Sequence, residues 1–305
     1  MTQPLSDQPQ LHFTQAPGIR LAHFEWHADR RGQGPTVWLV HATGFHGRVW
    51  DQAVRRLPAE RHVIAIEQRC HGRSDPVPFD NWRLFGADQT AQIDALGLQG
   101  ALGVGHSMGA HALVQAASLR PGAFRRLILV DPVMTEPAAY QQPPVPLGQL
   151  HPSAQRKNHF ESPQAMYDRF ADRPPYAVFD RAALMDYCVH GLRPADAGHN
   201  GGTGWQLCCA PQHEGQVYPL ARNFPSTYDL VRALDIPVLV VRARRQDPAI
   251  KPWDPLGSPT WPGLAAEFPQ GRDLFRPDRT HFLPMEDPAG MAQLIEAELA
   301  AFPTP

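Results

Sequence analysis

The chain has 305 residues, 43% of them hydrophobic and 19% charged. That length and apolarity can bury a sizeable core, which excludes wholesale disorder. The 28 Lys+Arg against 30 Asp+Glu leave a formal charge of −2, which removes the electrostatic case for nucleic acid or an anionic membrane as partner. The polar start MTQPLSDQPQ lacks a basic segment followed by an apolar run, so no secretory signal is expected. No apolar run approaches the roughly 18 residues of a membrane span. Four cysteines, with Cys208 and Cys209 adjacent and no CxxC pair, do not make a disulfide framework. Free thiols in a cytoplasmic protein are expected.

Strands and helices alternate along the first third of the sequence. Ile19 to Trp26 reads as an edge strand or hairpin. Thr36 to His41 (TVWLVH) is a short apolar run between Gly34-Pro35 and Gly44, as a buried strand should be. Trp50 to Leu57 reads as a helix and Arg61 to Glu67 as a strand. A helix from Gly86 to Leu98 ends near Gly97. Gly100 to His106 is a third buried strand and Ala110 to Leu119 an Ala-rich helix, stopped by Pro121-Gly122. Arg126 to Val130 (RLILV) is a fourth strand, ended by Asp131-Pro132. The pattern resumes with a strand at Ile236 to Arg242, another near Gly271 to Phe275, and a helix from about Pro288 to Phe302. Such alternation implies βαβ crossovers, hence an α/β fold with a mostly parallel sheet and helices on both faces.

Residues 133–235 interrupt that pattern, and a segment of this size is too long for a loop. Many of the chain's 33 prolines fall here, and proline fixes φ and removes a donor, so loops and short helices are expected. Helices are predicted from Gln164 to Ala171 and from Arg181 to Gly191. A Gly-rich turn spans Gly198 to Gly204, beside a strand-like WQLCC. The segment reads as a mainly helical cap over the C-terminal edge of a core made of residues 1–132 and 236–305.

Gly105-His106-Ser107-Met108-Gly109 carries the strongest chemical signal. It matches G-x-S-x-G directly between a strand and a helix, where a strained turn lifts a nucleophile above the sheet. Glycines two before and two after let the chains approach without a Cβ clash. A serine needs a base to become nucleophilic, and His281 lies in the loop between the last strand and the last helix. Strand ends of a parallel sheet share one edge, so that loop lies on the side of Ser107. Two acids follow strands on the same edge, Asp247 after VLVV and Asp131 after LILV. Asp247 is the first candidate to orient the base and Asp131 the alternative. Oxyanion donors are expected from the backbone N–H of Met108 and, in the loop after TVWLVH, of Thr43.

Taken in order, His41-Ala42-Thr43-Gly44, Cys70-His71-Gly72-Arg73-Ser74-Asp75, Gly105 to Gly109, Asp247 and His281-Phe282 resemble the α/β-hydrolase superfamily. The resemblance covers nearly the whole chain outside the cap. The His41 segment is similar to that family's oxyanion loop, with Ala42 where Gly is usual. The Glu67-to-Gly72 run is similar to its Asp-x-Arg-Gly-His-Gly signature, with Glu67 for Asp and Cys70 for Gly. Relatives with an Asp nucleophile form alkyl-enzyme esters; a serine at the elbow implies acyl transfer.

No HExxH or other metal motif is present, and no phosphate-binding loop, so neither a metal nor a cofactor is expected. The cap is rich in aromatics, among them Phe160, Tyr167, Phe170, Tyr176, Phe179, Tyr187, Trp205 and Tyr218. Tyr176 and Trp205 from the cap and His41 from the core are the candidate substrate contacts. The resulting expectation is a carboxylic ester hydrolase for small or medium apolar substrates, cytoplasmic, with a small molecule as partner and a homodimer allowed. A C–C bond hydrolase or enol-lactonase would use the same three residues. An aminopeptidase would need an acid for the substrate amine, with Glu161 and Glu214 the best candidates. A ligand-binding protein on a silent hydrolase fold is the rival from another class.

Overall fold

The computed structural model describes residues 8–196, 203–250 and 253–302. Eight strands form the main sheet: β1 (Gln10–Ala16), β2 (Ile19–Trp26), β3 (Val37–Val40), β4 (Val63–Ile66), β5 (Ala101–His106), β6 (Phe124–Val130), β10 (Val238–Arg242) and β11 (Gly271–Phe275). Their spatial order is β1-β2-β4-β3-β5-β6-β10-β11. β1 and β2 pair antiparallel, as do β2 and β4, and the remaining neighbours are parallel. The predicted edge strand is therefore covered by β1, which sequence reading leaves unassigned. A small second sheet has the order β7-β9-β8, from β7 (His159–Phe160), β8 (Leu192–Pro194) and β9 (Trp205–Leu207).

The helices are α1 (Asp51–Val54), α2 (Arg83–Leu96), α3 (Met108–Leu119), α4 (Pro163–Phe170), α5 (Arg181–His190), α6 (Pro211–Val217), α7 (Thr227–Ala233), α8 (Leu264–Glu267), α9 (Leu283–Glu286) and α10 (Pro288–Ala300). Gly97 ends α2 in the left-handed conformation, φ 60°, which glycine adopts without a Cβ penalty. Alternation along the central strands builds two core layers, because successive side chains leave a strand on opposite faces. Val37, Leu39, Leu239 and Val241 face α10 residues such as Met291 and Ile295. Trp38, Val40, Val238 and Val240 face α3 and α7 residues such as Leu113 and Val231. Each such side chain, fully buried, contributes about 1.5–3 kcal/mol.

The segment expected as a cap mixes helices with the small sheet, and its ends belong to the core. Met134, Tyr140, Tyr228 and Val231 pack in the α3-side layer. From the middle, Met166, Phe179, Ala183, Leu184 and Tyr187 extend the other layer. Gly198, Gly201 and Gly202 of the predicted turn lie outside the described residues. Cys70, Cys188, Cys208 and Cys209 are free. Among the described residues no helix is long and apolar enough to cross a membrane.

α5 docks on the core beside α1. Gln52 Nε2 donates to Asp186 at 2.8 Å, and ligand-type atoms of Asp51, Asp186 and His190 lie within 4.8 Å of one another. Arg48 already grips the Asp51 carboxylate, at 2.6–2.9 Å, so the cluster reads as a charge junction. Burial, then the Asp51 charge, pushes the Asp186 carboxyl up to about 6. A carboxyl raised above its unfolded value of about 3.9 binds its proton more tightly when folded. Its contribution is therefore present below about pH 4 and lost as pH rises through 6. Asp186→Asn keeps an acceptor for Gln52 without the charge. Thermal melts should show it more stable than wild type at pH 8 and equal to it at pH 4; equality at both would remove the junction from the stability account.

Candidate active site

β5 delivers the elbow. Ser107 sits at φ 57°, ψ −119°, a region a non-glycine residue holds only under constraint. Its N–H donates to Val130 O at 2.9 Å, and its C=O accepts from His111 and Val133 N–H at 3.3 Å. Both glycines are required by close approach. A Cβ on Gly105 would lie 2.6 Å from Ala110 Cα, and one on Gly109 2.4 Å from His41 O and 2.7 Å from Val40 O. The Ser107 turn is thereby pressed against the end of β3, where the His41-to-Gly44 loop begins.

Ser107, His281 and Asp131 form one hydrogen-bonded line. His281 Nε2 lies 3.1 Å from Ser107 Oγ, and His281 Nδ1 lies 2.7 Å from Asp131 Oδ2. Asp131 Oδ1 accepts from Ala243 N–H at 2.9 Å and Ser258 Oγ–H at 2.5 Å, while the Thr260 hydroxyl, 3.3 Å away, donates to Pro132 O at 2.7 Å. A fully buried carboxylate needs such partners. His281 is held through both of its main-chain groups: its N–H donates to Leu256 O at 2.9 Å, and its C=O accepts from His106 Nε2–H at 2.8 Å.

The first-ranked acid is corrected by this arrangement. Asp247 stands apart, its Oδ1 accepting Ala249 N–H at 2.9 Å within its own turn. Sheet order explains the difference. β6 is the immediate neighbour of β5, and His106 pairs in register with Val130, so the next residues, Ser107 and Asp131, emerge side by side. β10 lies one strand further away and ends at Arg242, and Asp247 comes five residues beyond it, on an outgoing loop. Asp131 also adopts φ 44°, the left-handed turn that starts its loop directly at the strand end.

His41 is a second correction. Its ring is fully buried, accepts Gln68 N–H through Nε2 at 3.1 Å and donates to Ala42 O through Nδ1 at 2.7 Å. Both nitrogens are spent on loop structure, so the ring is not a substrate contact. Burial and the neighbouring His71 push its pKa down to about 3, which keeps it neutral. His71 Nε2 accepts Gly44 N–H at 3.0 Å, and Phe45 N–H bonds Ala42 O at 3.2 Å. Among the described residues no carbonyl accepts the N–H of Thr43 or of Met108. The two departures from the sequence signature also find partners. The Glu67 carboxylate accepts Gly47 and Arg73 N–H and fills the space where a Cβ on Gly72 would sit. Cys70 holds φ 62°, a conformation natural to the glycine it replaces.

An aromatic wall rises beside the line. Phe45 packs against Tyr187 (centroids 5.2 Å apart), Phe282 (6.1 Å), Phe179 (6.2 Å) and His106 (6.4 Å). Tyr176 joins it through Tyr187, ring centroids 5.5 Å apart. Trp205, on β9, is half-buried and packs against the same apolar layer. Behind the wall lies a buried polar group. Arg156 donates to Glu214 at 2.7 Å and to Tyr187 Oη at 2.9 Å. The Glu214 carboxylate lies about 3 Å from where a Cβ on Gly44 would be. Burial pushes the Glu214 carboxyl up against the pull of Arg156. Glu214 is thus already engaged, and Glu161 is exposed. Sequence reading missed His106, Phe45, Ser258, Thr260 and Arg156. For His106 the signal was its place inside the elbow; the others emerge only from distant contacts.

Comparison with known proteins places the chain in a familiar setting. Residues 39–294 match the alpha/beta hydrolase family's sequence profile. A polyketide synthase of Burkholderia thailandensis is 33% identical over 171 residues, 54% of this chain and 8% of that protein. A 2-(acetamidomethylene)succinate hydrolase of Mesorhizobium japonicum is 31% identical over 102 residues, 33% of this chain and 37% of that one. The chain thus spans well under half of the length of these curated relatives. Among solved structures, an E-2-(acetamidomethylene)succinate hydrolase superposes with TM-score 0.72 at 22% identity, over 96% of this chain and all of that one. A thermophilic esterase from Thermogutta terrifontis gives 0.64 at 21% identity, over 96% and 98% of the two chains. At these identities the structural likeness shows the fold.

Proposed function

Because the chain belongs to the alpha/beta hydrolase family, we propose that it is a serine hydrolase, a carboxylic ester hydrolase for small or medium apolar substrates. The observation that carries the reading is the continuous line from Ser107 Oγ through the His281 ring to Asp131. In this reading His281 Nε2 takes the Ser107 proton as Oγ attacks the substrate carbonyl carbon. The tetrahedral oxyanion is met by the N–H groups of Thr43 and Met108, each donor worth about 10²–10³ in rate. Collapse expels the alcohol, which receives the proton from His281, and leaves an acyl-Ser107 ester. Water, deprotonated by the same ring, then releases the acid. Asp131 fixes the His281 tautomer with Nδ1–H and stabilises the charged ring.

The aromatic wall supports an apolar acyl group, since pockets are mostly apolar with few polar groups. Its Phe179 and Tyr187 come from residues 133–235, which supports the middle of that segment as the roof of the site. Engagement of Glu214 by Arg156 takes from the aminopeptidase reading one of its two candidate acids. The test is hydrolysis of p-nitrophenyl esters of graded acyl length, with Ser107→Ala as control. Turnover that vanishes in Ser107→Ala supports the ester reading, and the optimum length sizes the pocket. No ester turnover, with fluorophosphonate still labelling Ser107, would move the reading to a C–C or lactone substrate. No labelling of wild type would remove the enzyme reading.

A further inference from the structure

The residue before the nucleophile is itself tied to the base. His106 ends β5 in register with Val130 and is 1% exposed. Its Nε2–H donates to the main-chain carbonyl of His281 at 2.8 Å. A carbonyl only accepts, so this contact fixes the His106 proton on Nε2. The His106 ring also lies between two parts of the site. Its centroid is 5.1 Å from the His281 ring and 6.4 Å from Phe45 of the oxyanion loop. One imidazole thus touches the base and the loop that precedes it in the chain by many residues, while its own peptide neighbour is the nucleophile.

We propose that His106 is a positioning residue that locks the backbone of His281, and through it the base, against the elbow that carries Ser107. The inference rests on the serine-hydrolase reading. The loop of His281 has two main-chain anchors at this residue, Leu256 O on its N–H and His106 on its C=O. Leu256 is a loop residue itself, held by its N–H on Asp254 at 3.0 Å. His106 stands on a central strand and is the rigid anchor of the two. Without it, His281 would rotate between Asp131 and Ser107, and a displacement of about 1 Å at a reacting atom costs on the order of 10²-fold in rate. Its neutrality serves the same end. Burial, and then the nearby His281, hold the His106 pKa well below the ordinary histidine value, so it does not oppose the charge that forms on His281.

The experiment compares His106→Gln with His106→Asn in the full chain. The Gln amide reaches about as far as Nε2 and restores the donor; the Asn amide has the same polarity and stops short. His106→Leu removes the donor altogether. With an ester that wild type hydrolyses, Asn and Leu should lower kcat by about 30–100-fold with KM within about threefold, the size expected of a misplaced base. Gln should recover most of the loss, and the rate of fluorophosphonate labelling at Ser107 should rank the variants in the same order. Equal rates in all four proteins, or an equal fall in Gln and Asn, would overturn the positioning role. Failure of wild type to be labelled or to turn over any ester would instead overturn the hydrolase reading on which it rests.

Discussion

Asp131→Asn should lower kcat for an activated ester by about 10⁴, near 5 kcal/mol of transition-state stabilisation, while Asp247→Asn stays within about twofold of wild type. The cause is the His281 tautomer. On one side Asp131 Oδ1 accepts from two donors, Ala243 N–H and Ser258 Oγ–H. An asparagine there would turn its carbonyl oxygen to those donors and its NH₂ to His281 Nδ1. That forces the His281 proton onto Nε2, facing Ser107, and the ring can no longer accept the serine proton. Among the described residues the Asp247 carboxylate accepts Ala249 N–H, within its own turn, and an asparagine carbonyl does that equally well. Steady-state kinetics on both variants, with matching circular dichroism spectra, decide it. A larger loss at Asp247 than at Asp131 would dismiss the assignment.

Arg156→Met should destabilise the fold by about 3–5 kcal/mol, read as a lower urea midpoint at unchanged slope. The Arg156 and Glu214 side chains are 17% and 7% exposed. Removal of the arginine leaves Glu214 buried against Gly44 without its cation, and takes away the donor on Tyr187 Oη. A buried charge left unpaired is costly, whereas a buried pair replaced whole by apolar side chains of similar volume is often neutral. The double variant Arg156→Met, Glu214→Leu should therefore recover most of the loss. A single variant as stable as wild type, or a double variant worse than the single, would refute the account. Stability is the measured quantity here, but the pair also adjoins Gly44, next to Thr43, so the single variant should lose turnover as well.

Several elements were legible because their causes are local. The TVWLVH and VLVV runs are short, apolar and bounded by breakers, and they became β3 and β10. The G-x-S-x-G pentapeptide lay between strand and helix, and its glycines meet Ala110 and the end of β3 as that motif requires. The strand β1 escaped notice because only Leu11 and Phe13 alternate with polar neighbours there, and in the fold both are exposed, so no apolar face is buried; pairing with β2 makes it a strand. The cap's boundaries also blurred. Tyr140 and Tyr228 look like insertion residues in sequence and pack against the main sheet in space.

By itself the sequence singled out Ser107 in its strand-to-helix pentapeptide and His281 in the loop between the last strand and the last helix, because each signal lies in a short stretch of neighbouring residues. The tertiary structure alone decided which carboxylate meets His281, and the fate of His41. Asp131 and Asp247 both follow buried strands in the right chain order, and along the chain Asp247 ranked first. The choice follows from strand order and register, which set Asp131 beside Ser107 and carry Asp247 away on a loop beyond β10. His41 carries the right chemistry at the right place, and only the fold shows both of its nitrogens bonded within the loop it supports.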